Sequence, residues 1–376
     1  MVIKNALVFS EEGKFVEKDV YVDGERIADT ASDSDVIDGT GCYLVPGLMD
    51  IHFHGCMGHD FCDATPEALD AMAEYELKNG ITSICPASMT LSEESLVHIC
   101  ENAKDYRDSW TPGTKARLCG INLEGPFIAM SKKGAQNPKY VTPPNIDMFQ
   151  HLIDAGDGLV KLTTIAPETE GAMDFIRHFS KEIRISIGHT DCDYDTAKEA
   201  FLAGASHITH LFNAMPPFTH RKPALIGAGF DTEKVTPEII CDGIHIDPSS
   251  VRVAFSIFGD DRLILISDSM MATGMENGDY SLGGLAVKVT GRLATLEDGT
   301  IAGSATNLMD CVRTAVQKME IPLESAIKCA SINPAKAIGE DKEYGSIKVG
   351  KYADLLLLDK DDLALKKVIS HGVVVS

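Results

Sequence analysis

Basic residues are scarce in this chain of 376 residues: 34 Lys and Arg stand against 56 Asp and Glu, a formal net charge of −22. So acidic a surface repels phosphates, which clustered cations normally grip, and neither nucleic acid nor an anionic membrane is expected as a partner. Long apolar runs are missing too. No segment approaches the roughly 18 uninterrupted apolar residues of a membrane span. Met1 to Ser10 carry Lys4 and Asn5 within an alternating pattern, unlike the apolar stretch and cleavage site of a signal peptide. The 10 Cys form no Cys-x-x-Cys pair and no disulfide-dense spacing. They read as small buried apolar residues of a reduced, cytoplasmic protein. Two catalytic signatures are also absent. Glycines at 224–229 and 281–284 lack the strand, helix and Lys-Ser/Thr ending of a nucleotide-phosphate loop, and no Gly-x-Ser-x-Gly nucleophile motif occurs.

What remains is the composition of a globular enzyme, 44% apolar and 24% charged, in a chain two to three times the usual domain size. Apolar, β-branched runs recur at 44–51, 81–85, 117–123, 159–164, 184–187, 207–211, 238–241 and 263–267. Helical patterns lie between most of them, at 66–78, 93–106, 146–155, 170–179, 196–203 and 248–258, with Gly80 and Gly204 as stops. Strands each followed by a crossover predict an α/β fold, a TIM-type (β/α)8 barrel closed on itself. A long excursion at 270–303 carries hairpin-like turns at Gly283-Gly284 and Asp298-Gly299, and its expected place is over the barrel mouth. Both chain ends are strand-rich and helix-poor, so residues 1–45 and 340–376 are expected to form one small β domain beside a barrel of 46–339.

Alternation along the first strand sends His52 and His54 to one side, with Ile51 and Phe53 facing the other. Further ligand-type residues recur at the same end of other strands: Glu124 after the third, His189 after the fifth, His210 after the sixth and Asp268 after the eighth. In a parallel barrel those ends surround one mouth, where active sites sit, and imidazole with carboxylate suits a zinc-type divalent ion. Asp268 reads as a further ligand, a proton-transfer group or a strand-end cap. His207 falls on the opposite parity to His210 and reads as structural. After strand six, Asn213-Ala214-Met215 is followed by His220-Arg221-Lys222, three basic-capable side chains suited to an anion or to a solvated loop. Asp242-Gly243-Ile244-His245 adds another mouth histidine, a substrate hydrogen-bonder or an ordinary loop residue.

Pro46-Gly47-Leu48-Met49-Asp50-Ile51-His52-Phe53-His54-Gly55 is similar to the first-strand signature of the amidohydrolase superfamily, and Asn333-Pro334-Ala335 with Ala353-Asp354-Leu355 resembles its closing segment. Leu123-Glu124-Gly125-Pro126-Phe127, Gly188-His189-Thr190, Thr209 to Met215 and Asp242 to His245 resemble one branch, the deacetylases of N-acetylglucosamine 6-phosphate. The likeness runs nearly the whole length. It implies a barrel with a small β-sandwich domain, a homodimer, and hydrolysis of an acetamide on a phosphorylated amino sugar. Glu124, His189 and His210 would hold the principal metal and Asp268 would be the catalytic acid/base. Ala135, Gln136, Asn213, Ala214, Arg221, Asp242, Gly243, Ile244, His245, Ile301, Ala302 and Gly303 would contact substrate. The cofactor would be one or two divalent ions per subunit, Zn²⁺ first, with Fe²⁺, Mn²⁺ or Co²⁺ as alternatives. Some members lack the His-x-His pair and hold one ion, whereas His52 and His54 both stand here. Gln136 stands where some members carry a His, and its amide can still donate a hydrogen bond. Two rivals are an amidohydrolase of cyclic amides or dipeptides, many of which use a modified Lys where Glu124 stands here, and a non-catalytic assembly protein on the same barrel.

Overall fold

The structure is a computed structural model that describes residues 1–31 and 35–375. Its centre is a parallel sheet that curls as it is followed along the chain. Leu48–Asp50 pairs with Ile81–Ile84, which pairs with Arg117–Leu118. Beyond a break in both of the latter segments, Ala87–Ser88 leads a second parallel run through Ile121–Glu124, Val160–Ile165, Arg184–Ile187, His207–Ile208, Thr236–Ile240 and Ile264–Ile266. Past its last strand the chain returns to the first: Asp268 N–H donates to the His52 carbonyl at 2.9 Å, and His54 N–H to the Ser269 carbonyl at 2.7 Å. These strands are buried nearly throughout, which is why they read as continuous apolar runs.

Helices cover the outside of the sheet, and several begin where the sequence supplies a cap. Thr65 accepts from Ala68 N–H ahead of Pro66–Lys78, Asn145 from Met148 N–H ahead of Ile146–Gly156, and Asp193 from Thr196 N–H ahead of Tyr194–Ala203. Glu93–Ser109, Ala172–Phe179 and Pro248–Phe258 also fall on sequence-read helices, within a few residues at their ends. Ala224–Phe230, Leu308–Met319, Leu323–Ala330 and Ile332–Ala337 were not read from the pattern. The first of these contains two glycines, which weaken any helical signal. Gly229 packs closely there: a Cβ would sit 2.5 Å from the Ile208 Cδ1 of the strand beneath, so a larger residue would require that side chain to shift.

The excursion after the last parallel strand forms an antiparallel sheet of Gly278–Leu282, Leu285–Thr290, Leu293–Thr295 and Ile301–Ser304, with Gly283 and Gly284 at its first turn. Strands from both chain ends meet elsewhere. Leu7–Phe9 and Leu355–Asp359 flank Cys42–Pro46 in one sheet, and Val2–Lys4, Val20–Asp23, Arg26–Ala28 and Val36–Asp38 make another. Ile3 and Val22 of the smaller sheet share an apolar cluster with Leu44, Leu355 and Ile369 of the larger. All ten cysteines are free, and all but Cys62 are buried. Among the described residues no helix is long and apolar enough to cross a membrane.

Candidate metal centre

The ligand-type residues stand where the parallel strands run out. Glu124 ends the strand Ile121–Glu124, while His189, His210 and Asp268 each lie two residues beyond theirs. These last three have φ of 45°, 27° and 49°. Each left-handed non-glycine residue costs on the order of 1–3 kcal/mol, and such strain gathers where a side chain must be aimed.

Glu124 is shared by two buried trios, His52 and His54 on one side, His189 and His210 on the other. Its Oε1 lies 3.1 Å from His189 Nε2, 3.0 Å from His210 Nε2 and 3.3 Å from His52 Nε2. Its Oε2 lies 3.4 Å from His54 Nε2 and accepts from the Gln136 amide, whose own oxygen takes Thr90 N–H at 2.7 Å. The two Nε2 atoms of His189 and His210 are 3.0 Å apart. Asp268 Oδ1 is 3.3 Å from His54 Nε2 and 3.9 Å from His52 Nε2.

Most of the imidazoles are held from behind. His189 Nδ1 faces the Lys132 carbonyl at 2.8 Å, His54 Nδ1 the Ala87 carbonyl at 3.1 Å, and His52 Nδ1 the Glu238 carboxylate at 2.8 Å. An acceptor behind Nδ1 fixes the proton there and leaves an Nε2 lone pair turned toward Glu124. The Nε2 of His52 is buried without any hydrogen-bond partner. Convergent lone pairs around one carboxylate fit a divalent cation in each trio.

Charge tells the same story. Burial works against a charged His52, yet Glu238 and Glu124 hold its pKa well above the usual value. For Glu124, burial is outweighed by His52 and His189, and its carboxyl stays well below the ordinary range. Asp268 is also pushed up by burial and brought down further by the His54 hydrogen bond and by His52, so it stands ionised. A pocket that holds protons this tightly attracts other cations for the same reason.

Glu238 was not singled out by the sequence. Fully buried on Thr236–Ile240, it meets His207 Nε2 at 3.1 Å through Oε1, and through Oε2 both His52 Nδ1 and the backbone N–H of His210, the latter at 3.0 Å. His207 itself faces Thr236 Oγ1 at 2.8 Å and touches neither trio's ligand atoms.

Above the trios opens a cavity of about 550 Å³. His54, Glu124, His189, His210 and Asp268 form its floor, and Ala135, Gln136, Asn213, Ala214, His245, Ile301 and Gly303, seven of the twelve residues that the resemblance assigns to substrate, line it. His52 lies beneath the floor, and Asp242 acts from behind by accepting from His245 Nδ1 at 2.8 Å. Gly243, Ile244 and the fully buried Ala302 do not line the cavity. An unanticipated wall is the segment Met130–Gly134, which carries Lys132 and Lys133; Leu282, Asp298 and Thr300 bring the 270–303 excursion to the mouth, its expected place. Arg221 is elsewhere. It borders a neighbouring cleft with Asp191, Tyr194 and Pro217, its Nη1 against His220 Nε2.

Comparison with known proteins agrees with this architecture. The amidohydrolase family model matches residues 43–375. An N-acetylglucosamine-6-phosphate deacetylase of Bacillus subtilis is 37% identical over 96% of this chain and 90% of its own length. An N-acetylgalactosamine-6-phosphate deacetylase of Escherichia coli O157:H7 is 32% identical over 84% of this chain and 83% of its own. Among solved structures, a mutant N-acetyl-D-glucosamine-6-phosphate deacetylase of Mycobacterium smegmatis, in complex with N-acetyl-D-glucosamine-6-phosphate, superposes with a TM-score of 0.91 at 31% identity. It covers 100% of this chain and 99% of that one.

Proposed function

Because this chain belongs to the amidohydrolase family, we propose that it hydrolyses the acetamide of N-acetylglucosamine 6-phosphate to glucosamine 6-phosphate and acetate. One observation carries the reading: two histidine pairs share the Glu124 carboxylate at the floor of a cavity large enough for a sugar phosphate, with ionised Asp268 beside them. Glu124, His189 and His210 would hold the principal ion, and His52 and His54 with Glu124 would hold a second. When bound, a divalent ion, Zn²⁺ first among the candidates, supplies an acidified water and a polarised acetyl carbonyl.

The chain's own groups do the rest. Asp268 takes a proton from the attacking water as its oxygen bonds to the acetyl carbon. It then passes that proton to the sugar nitrogen as the carbon–nitrogen bond breaks. Gln136 keeps the Glu124 carboxylate in place, while His245, oriented by Asp242, donates to the sugar. Asn213 and Ala214 receive the phosphate end, and Arg221, on the loop that follows them, turns inward to complete the grip.

The same reading assigns 46–339 to a closed (β/α)8 barrel and 1–45 with 340–376 to a small β-sandwich domain. The hydrogen bonds from Asp268 N–H to the His52 carbonyl and from His54 N–H to the Ser269 carbonyl support the former, and the apolar cluster shared by the two terminal sheets the latter. We place the protein in the cytoplasm as a homodimer, so sedimentation should give about twice the 40.5 kDa chain mass. The decisive experiment incubates metal-replete protein with N-acetylglucosamine 6-phosphate, its galactosamine epimer and the unphosphorylated sugar, and measures acetate. The first should turn over fastest. Preference for the epimer would move the assignment to the galactosamine substrate, and absence of acetate from all three would refute it.

A further inference from the structure

We infer that Glu238, which belongs to neither trio, is the positioning residue that readies His52 for the second ion and ties the two half-sites together. The inference rests on the two-ion reading above. Glu238 is fully buried, so its carboxylate is meaningful only through what it touches. Its Oε2 accepts at once from the side chain of His52, at 2.8 Å, and from the backbone N–H of His210, at 3.0 Å. One oxygen atom therefore touches a member of each trio.

The bond to His52 dictates chemistry as well as place. An ionised carboxylate only accepts hydrogen bonds, so the proton of a neutral His52 must sit on Nδ1. Its Nε2 then carries a lone pair, buried without a hydrogen-bond partner and 3.3 Å from Glu124 Oε1. Whenever Nε2 carries no proton, two electron-rich atoms are held face to face, an arrangement complementary to a cation. The ring cannot rotate to escape, because Nδ1 is held from behind. The other oxygen of Glu238 is anchored in turn: His207 Nε2 lies 3.1 Å away, and His207 is kept in register by Thr236 Oγ1 at 2.8 Å. His207, the histidine of opposite parity, thus acts at one remove from the metal centre.

The remaining three imidazoles have no such carboxylate behind them. His54 and His189 lean on backbone carbonyls, and His210 Nδ1 has no partner. Carboxylate backing raises ligand basicity and fixes orientation, and losing such a partner typically weakens metal affinity by about 10–100-fold. That loss should fall on the ion held by His52.

The test counts ions. Wild type, Glu238→Gln and Glu238→Ala, loaded with Zn²⁺ and separately with Mn²⁺, are dialysed against chelators of graded strength, and the ions retained per chain are measured with the melting temperature. Glu238→Gln keeps the shape and removes the charge, so it decides the matter should the alanine variant fail to fold. We expect wild type to retain two ions and Glu238→Gln to release one of them at chelator strengths about 10–100-fold lower, the other being held within a few-fold of wild type. Three results would overturn the inference: two ions held by Glu238→Gln as tightly as by wild type, both ions weakened equally, or a wild-type chain that takes a single ion. The readout is ion content, so failure to release acetate would count against the proposed substrate and leave this test intact.

Discussion

At Asp268, substitution by Asn preserves size and hydrogen-bonding shape but removes the carboxylate that accepts the water's proton. Asp268→Asn should keep its metal and lose kcat by roughly 10²–10⁴-fold, with KM changing far less. Loss of metal in that variant would make Asp268 a ligand first. Arg221 gives a second comparison at this scale. If its loop turns inward, Arg221→Ala should lower kcat/KM at least about tenfold for the phosphorylated sugar and hardly at all for the unphosphorylated one. If instead Arg221→Ala is silent and Lys133→Ala shows that contrast, the phosphate is held by the Met130–Gly134 wall. The floor of the cavity was legible because its residues lie at the carboxyl ends of parallel strands, which surround one mouth. Glu238 was not, since a lone Glu inside an apolar strand says nothing about His52, far away in sequence and adjacent only once the sheet curls. Lys132 and Lys133 escaped notice for a related reason: no periodicity marks an irregular segment as a wall.

The helix Pro66–Lys78 buries Leu69, Met72, Ala73 and Leu77 on one face, and Glu76 with them. Neither carboxyl oxygen of Glu76 has a hydrogen-bond partner, and burial, then the Asp50 charge, pushes its pKa well above the ordinary value. A folded-state pKa raised above the unfolded one means the native chain binds this proton more tightly. The associated stability is fully present below the unfolded value, near 4.5, and is lost as pH rises from there toward the folded pKa. Within that window the loss approaches about 1.4 kcal/mol per pH unit. Glu76→Met should therefore raise stability by roughly 1–3 kcal/mol near neutral pH, with a smaller gain near pH 4.5. An equal gain in melting temperature at both pH values would show that Glu76 titrates normally. The pattern identified this helix from its apolar stripe and its Gly80 stop, and Glu76 falls on that stripe, but spacing alone does not tell a carboxyl sealed in the core from one at its edge. Ala224–Phe230 was missed for the converse reason. Gly229 packs on Ile208 of the strand beneath and Gly227 on Pro223 just ahead of the helix, and such close packing overrides local propensity.

For the whole molecule, the metal centre should serve stability as well as turnover. Four imidazoles and three carboxylates, Glu124, Asp268 and Glu238, converge from the ends or interiors of separate strands. An ion bound only by the native arrangement stabilises it in proportion to the logarithm of its occupancy. Prolonged chelation should abolish acetate release and lower the melting temperature by several degrees, and a divalent ion should restore both. Full turnover in verified metal-free protein would refute the mechanism. Eight strand-like runs and their ligands told of a parallel fold, but the sequence placed no helix after residue 258: Ile332–Ala337 is too short to repeat a face, and Leu308–Met319, which does repeat one, is separated from the last parallel strand by the 270–303 excursion. One arrangement bears on how the protein is made. Cys42–Pro46 runs directly into Leu48–Asp50, the strand that leads to His52 and His54, yet one of its two neighbours is Leu355–Asp359. A ribosome delivers the first long before the second. Throughout most of translation Leu44 and Val45 therefore present an apolar strand edge with nothing alongside it, which invites pairing with other nascent chains. Interrupted synthesis should yield insoluble fragments in place of soluble, inactive enzyme.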